Sequence, residues 1–242
     1  MFDPAAALTA LERLRFANLD VLRFALLGAV LGLDVVSFPQ AMISRPLVAA
    51  TLAGAVVGEP GRGLLVGAVL ELVALETLPV GASRYPEWGS AAVVGGALYA
   101  LHPEGAAGAL VLAVTCALAT AWVGGESMIV LRRLNGQLAR AQAPALQAGS
   151  RRSVSRLQLT GLGFDLLRGF ALTVVALQLS LPLLASTVGH WGAEARLSRA
   201  VVVSVAATVA GSAVWKLFHL VPRARLLFAA GIAAGLLRLA LQ

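Results

Sequence analysis

The chain has 242 residues, 59% of them hydrophobic and only 13% charged, with a mean hydropathy of +0.84. This excludes an ordinary water-soluble domain, which runs about 45–50% apolar and about 25% charged, and makes lipid the solvent. The net charge of +7 does not signal nucleic acid, because the basic residues cluster at the ends of apolar runs and in one central stretch, as the positive-inside rule expects.

Residues 1–20 carry Asp3, Glu12, Arg13, Arg15 and Asp20, which a secretory apolar region would not tolerate. Asp3-Pro4 reads as a helix N-cap followed by proline at the first helical position, predicting an interfacial helix or a short cytoplasmic arm. The first membrane half, 21–131, is built mainly of short apolar pieces. Phe24 to Ser44 is interrupted by Asp34 and Pro39, and Pro46 to Gly58 lies between Arg45 and Glu59. Leu64 to Val80 contains Glu71, Glu76 and Pro79, and Trp88 to Leu101 ends at His102-Pro103. A helix of about 13 residues rises only about 20 Å, short of the ~30 Å hydrocarbon core. Broken or re-entrant helices are therefore expected, with tilted short helices as the alternative; transporters place substrate sites at such breaks.

Gly105 to Gly125 and Gly169 to Gly189 are uncharged and long enough to span alone. Between them, residues 132–157 form a basic, partly helical cytoplasmic connection containing Arg132, Arg133, Arg140, Arg151, Arg152 and Arg156 and no acid. The second membrane half, 158–242, adds two shorter apolar runs, Ala200 to Trp215 and Leu226 to Leu237. The fold class expected is all-α, a polytopic integral membrane protein. Small-xxx-small pairs at Gly28/Gly32, Gly54/Gly58, Gly63/Gly67 and Gly231/Gly235 put both glycines of a pair on one helix face. Gly54/Gly58 and Gly63/Gly67 flank Glu59-Pro60-Gly61-Arg62, read as a hairpin turn with tight crossings on either side.

Neither Glu59-Pro60-Gly61-Arg62-Gly63 nor Gly124-Gly125-Glu126-Ser127 has the Lys-Ser/Thr of a phosphate-binding loop, so an ATP-driven pump is not expected. His102, His190 and His219 lack ligand-spaced neighbours, and no catalytic set, metal site or cofactor is indicated. The single cysteine, Cys116, lies in an apolar run as a packing residue and rules out an intrachain disulfide. The informative residues are ionisable groups inside apolar runs, where charge costs about 2.5–3.5 kcal/mol at a helix centre by insertion scales and so finds a partner or a wet cavity. Glu71 is the sharpest, as a substrate ligand or as an ion-pair partner of Arg45 or Arg168. Asp34 follows, and Asp165 and Arg168 are spaced to pair on one helix face. Ser83-Arg84-Tyr85-Pro86-Glu87-Trp88 reads as a surface loop or as a polar, aromatic wall for a sugar.

Three segments carry a family resemblance. Ser44-Arg45-Pro46-Leu47 through Gly54, Gly58 and Glu59, then Gly63-Leu64-Leu65-Val66-Gly67-Ala68-Val69-Leu70-Glu71, then Val80-Gly81-Ala82 with Pro86-Glu87, resemble in order and spacing the IIC membrane subunit of the mannose/fructose/sorbose-type sugar phosphotransferase system. Leu162 to Gly169 is similar to the helix that opens that family's second half. The resemblance implies a sugar permease subunit, not catalytic alone, working with a homologous IID membrane subunit and with IIA and IIB phosphocarriers in a hetero-oligomer of the bacterial cytoplasmic membrane. It also implies a hexose phosphorylated by IIB at the cytoplasmic face and a sugar-binding core around Arg45 to Gly89. Glu71 would bond sugar hydroxyls, with Thr51, Gln40 and Glu76 as further substrate ligands, since carboxylates accept directional bonds from paired hydroxyls. Asp34, Arg45, Asp165 and Arg168 would be structural or gating charges. The chain departs from the family pattern at Glu76, where glycine is common, and at Arg84-Tyr85. Its end at Gln242 raises the expectation of altered assembly. A secondary transporter with Glu71 or Asp34 as proton carrier, and a non-transporting scaffold or regulator, are the alternatives.

Overall fold

The computed structural model describes residues 20–77, 85–102, 108–188, 190–218 and 222–241. The expected N-terminal helix or arm, and Pro79, Ser83, Arg84 and Pro103, lie outside them. The architecture is all-α: α1 (20–34), α2 (Pro46–Val56), α3 (Pro60–Ala74) running into a 3-10 turn (Leu75–Thr77), and α4 (Trp88–Ala100). Then come α5 (Ala109–Ala141), α6 (Ala143–Gln147), α7 (Arg151–Val188), α8 (Ala195–Phe218) and α9 (Ala224–Ala240).

Among the described residues, three helices, α5, α7 and α8, are long and apolar enough to cross a membrane. The first two contain most of the two expected spans. The third corrects the reading of a short Ala200–Trp215 piece, because the arginines at 196 and 199 interrupt the apolar run without interrupting the helix. The basic stretch is largely helix: α5 runs on to Ala141, α6 turns the corner and α7 begins at Arg151.

Helices α2, α3 and α4 have 11, 15 and 13 residues, rises of about 17, 22 and 20 Å, too short to span by themselves. They pack against one another, and α4 lies innermost, with 11 of its 13 residues buried. Its Ala92, Val93, Val94, Ala97 and Leu98 join Ala49, Ala50 and Ala53 of α2, Val66 and Leu70 of α3, and Ala113 and Ala117 of α5 in one core. Cys116 packs against that core.

The α2–α3 hairpin depends on glycine. A Cβ at Gly63 would strike the carbonyl oxygen of Ala50, and one at Gly54 would strike Glu59 O and Gly63 N. At Gly67 a Cβ would lie 2.8 Å from Pro46 O and 2.9 Å from Leu47 Cα. Backbone thus meets backbone where no water-driven burial exists to hold helices together. Two corrections follow. Gly58 is no crossing residue, since among the described residues nothing lies within 4 Å of where its Cβ would stand, and it serves the turn through its φ of +82°. Pro60-Gly61-Arg62 is the first turn of α3 rather than the hairpin turn, because Pro60 takes the first helical positions with Glu59 before it. Gly28 packs on Thr173, whereas Gly231 and Gly235 of α9 meet nothing among the described residues.

Candidate functional site

Four helix ends converge on one cavity of about 210 Å³. The C-terminus of α1 supplies Asp34, the following loop supplies Gln40, Met42 and Ser44, and the start of α2 supplies Arg45 and Pro46. The α3 end and its 3-10 turn supply Ala74 and Thr77, and the N-terminus of α4 supplies Trp88.

Asp34 shapes this wall. It is 1% exposed, and its Oδ1 accepts the Ala41 N–H at 2.6 Å. Its Oδ2 accepts the Ser44 N–H at 2.9 Å and the Ser44 hydroxyl at 2.8 Å. Those bonds pull residues 35–44 over the end of α1, with Gln40 and Met42 in left-handed backbone at φ of 60° and 62°. The carboxylate is therefore a loop organiser, and the charge is met by hydrogen bonds rather than by a counterion.

Glu71 stands with Arg45. Arg45 Nε donates to Glu71 Oε1 at 2.7 Å, and Nη2 contacts the same oxygen. Glu71 Oε2 accepts the Leu47 N–H at 3.2 Å. Arg45, the N-cap residue of α2, makes no side-chain cap bond and Pro46 has no N–H, so Glu71 caps α2 from the neighbouring helix and complements its positive end. Helix α4 is capped similarly by its own Glu87, which is 1% exposed and accepts the Ser90 N–H at 3.1 and 3.2 Å. Both N-termini that open on the cavity thus carry a carboxylate.

The remaining expected ligands are distributed. Gln40 lines the cavity and donates Nε2 to Val36 O at 2.9 Å, leaving its carbonyl oxygen as an acceptor. Thr51 bonds back to Leu47 O at 2.6 Å. Glu76 Oε1 pairs with Lys216 of α8, and its Oε2 is buried with no hydrogen-bond partner among the described residues. Glu71, Thr51 and Glu76 do not line the cavity, whereas Arg45 and Gln40 do.

Behind α4, Asp165 of α7 is buried and the Arg168 side chain is 9% exposed, with Arg168 Nε donating to Asp165 Oδ1 at 2.9 Å. Arg168 Nη1 reaches Ser127 of α5 at 3.3 Å, and Ser37 of the cavity loop donates to Asp165 Oδ2 at 2.5 Å. A Cβ at Gly32 would lie 3.6 Å from both Arg168 Nη2 and Glu87 Oε1, so the two charges share one small space. This network fastens the loop, α4, α5 and α7 together.

Trp88 is the residue that sequence reasoning placed only loosely, within an aromatic loop. Its indole Nε1 is buried and has no hydrogen-bond partner among the described residues. An indole is an obligatory donor, and leaving one unpaired costs about 1–3 kcal/mol. The Trp88 side chain lines the same cavity. Thr77 and Ser44 were also missed, because neither type stands out in a membrane sequence until the fold sets it on a wall.

The model of the family described as the sorbose-specific IIC component of the phosphotransferase system matches residues 19–193. The chain belongs to this family. Similar proteins include the fructose permease IIC component of Bacillus subtilis (strain 168), 25% identical over 174 residues, 72% of this chain and 63% of that protein. The sorbose-specific EIIC component of Klebsiella pneumoniae is 24% identical over 168 residues, 69% of this chain and 60% of its own. The mannose-specific EIIC component of Escherichia coli (strain K12) is 27% identical over 124 residues, 51% of this chain and 45% of its own. The matched part of the chain thus spans less than two thirds of each of these IIC proteins. A solved structure described as a membrane protein superposes with a TM-score of 0.70 over 92% of this chain and 91% of that one, at 18% identity, which supports the fold. Fold and family together make this IIC family member a multi-pass membrane protein.

Proposed function

We propose that this IIC chain is the sugar-translocating subunit of a mannose-type phosphotransferase permease in the bacterial cytoplasmic membrane, and that the cavity between the four helix ends holds the sugar. The set of groups on that cavity, Gln40, Ser44, Arg45 and Thr77 beside the aromatic Trp88, whose indole N–H has no partner among the described residues, carries the reading. A sugar ring offers hydroxyls to such groups and an apolar face to an aromatic ring. Arg45 donates hydrogen bonds to hydroxyl oxygens while Glu71 holds it in place. Glu71 then acts on the sugar through Arg45, and Thr51 and Glu76 act in packing and in the tie to α8.

The partners follow from the same reading: a IID membrane subunit, and IIA and IIB phosphocarriers that deliver the phosphoryl group at the cytoplasmic face. A proton-coupled transporter needs a carboxylate at the site that is free to exchange its proton. Asp34, the carboxylate in this wall, already accepts three hydrogen bonds, which favours the phosphotransferase reading.

Vesicles containing this chain, its IID partner and phosphorylated IIB should accumulate hexose as the phosphate ester, and omission of any one component should stop accumulation. Uptake of free sugar driven by a proton gradient without IIB would establish the secondary transporter instead.

A further inference from the structure

Helices α5 and α7 extend beyond their apolar stretches as the arms of a hairpin closed by α6. The 38 residues of α7 span about 57 Å, nearly twice the hydrocarbon thickness. Residues 132–156 carry six arginines and no acid. Arg132 lies over the Tyr85 ring at 5.1 Å, and Arg133, Arg140, Arg151, Arg152 and Arg156 are exposed.

Between the arms lies a second cavity, of about 350 Å³. Leu138 and Leu157 give it apolar sides, Asn135, Gln158 and Gly161 line it, and Ser37 lies on its wall. Asn135 Oδ1 is buried there and has no hydrogen-bond partner among the described residues. Ser37 belongs to the loop whose Gln40 and Met42 line the other cavity, so one loop contributes to both.

We propose that this notch, with its arginine rim, is a docking site for an acidic segment of a soluble protein. An apolar side chain of that segment enters between Leu138 and Leu157 beside Asn135, and its carboxylates meet Arg140, Arg151, Arg152 and Arg156. Arginines form bidentate bonds to carboxylates, and a positive rim speeds the encounter with an acidic partner. A protein fits better than a lipid surface. Arg140, Arg151 and Arg152 flank α6 at the hairpin tip, and the ten helical steps from Leu131 to Ala141 alone rise about 15 Å, beyond the Debye length of about 8 Å at physiological salt. A concave slot lined by Asn135 and Gln158 also suits a peptide more than a planar membrane. Docking here would press on the loop that walls the candidate sugar site, an extension of the transport reading that binding alone can test without sugar.

The test uses the full chain in nanodiscs of zwitterionic lipid and a fluorescein-labelled peptide of glutamate and leucine, followed by anisotropy. The peptide should bind more weakly as salt rises. Gly161→Leu, which fills the notch without changing charge, should weaken it about tenfold, as should Gln158→Trp at an exposed position of the mouth. Joint replacement of Arg140, Arg151 and Arg152 by Gln should do the same. Unchanged affinity in both notch-filling variants would overturn the proposal, leaving unseated charge attraction. Loss of peptide binding when anionic lipid is added to the nanodisc would also overturn it, by assigning the arginines to the membrane. Transport without peptide binding would refute the docking site alone.

Discussion

Replacing Glu71 separates support of the site from contact with the sugar. Its carboxylate serves Arg45 Nε at 2.7 Å and Leu47 N at 3.2 Å, and the two charged side chains are 23% and 27% exposed. An exposed pair is worth about 0–1 kcal/mol and breaking a buried one costs about 3–5; at a quarter exposure the cost falls between, about 2 kcal/mol. Glu71→Ala should therefore lower stability in detergent by about 2 kcal/mol. Because it frees the Arg45 guanidinium at the cavity wall, it should also weaken hexose binding about tenfold. Glu71→Gln retains an acceptor for the α2 N-terminus and should lose about half as much stability. Denaturant titration and tryptophan fluorescence on the same preparations would read both quantities. A Glu71→Ala chain of unchanged stability that no longer binds sugar would refute the supporting role and make Glu71 a direct ligand.

Trp88→Phe removes a donor that has no partner among the described residues, so stability should hold while hexose affinity falls about tenfold, measured by isothermal titration. Asp165→Asn removes the carboxylate that Arg168 bonds directly and should destabilise by about 3 kcal/mol. The double variant Asp165→Asn/Arg168→Gln should lose less than the sum of its singles in a denaturant double-mutant cycle. Gly63→Ala, whose Cβ would strike Ala50 O, should cost about 1–3 kcal/mol by thermal melting in detergent. Gly211→Ala in open space on α8 should be neutral or slightly stabilising by the same assay.

The short helices were legible in sequence because polar residues bracket them. Arg45 precedes α2, Glu59 separates α2 from α3, and Glu87 opens α4. The glycine crossing of α2 and α3 was legible from spacing at Gly54, Gly63 and Gly67. Gly58 was not, because a turn glycine and a crossing glycine have the same spacing and differ only in φ. Helix α8 was under-read because hydropathy reports where charge begins and not where hydrogen bonding stops. The Asp34 cage was invisible, since two of its three partners are main-chain N–H groups that arrive only when the loop folds back. Glu71 with Arg45 was one of two readings, and only the packing of α2 on α3 sets the pair side by side. Trp88 carried a weak signal in its aromatic loop, and the fold supplied what mattered, its place on the cavity wall.

The cavity assignment is tested most directly by sugar protection at Thr77, in its wall. With Cys116→Ser removing the native thiol and Thr77→Cys placing one at the cavity, maleimide labelling would be timed with and without sugar in membranes containing the partner subunits. A transported hexose should slow labelling in proportion to its occupancy, and a non-transported sugar should leave the rate unchanged. Full-rate labelling at a concentration that saturates transport would place the sugar elsewhere and contradict the account.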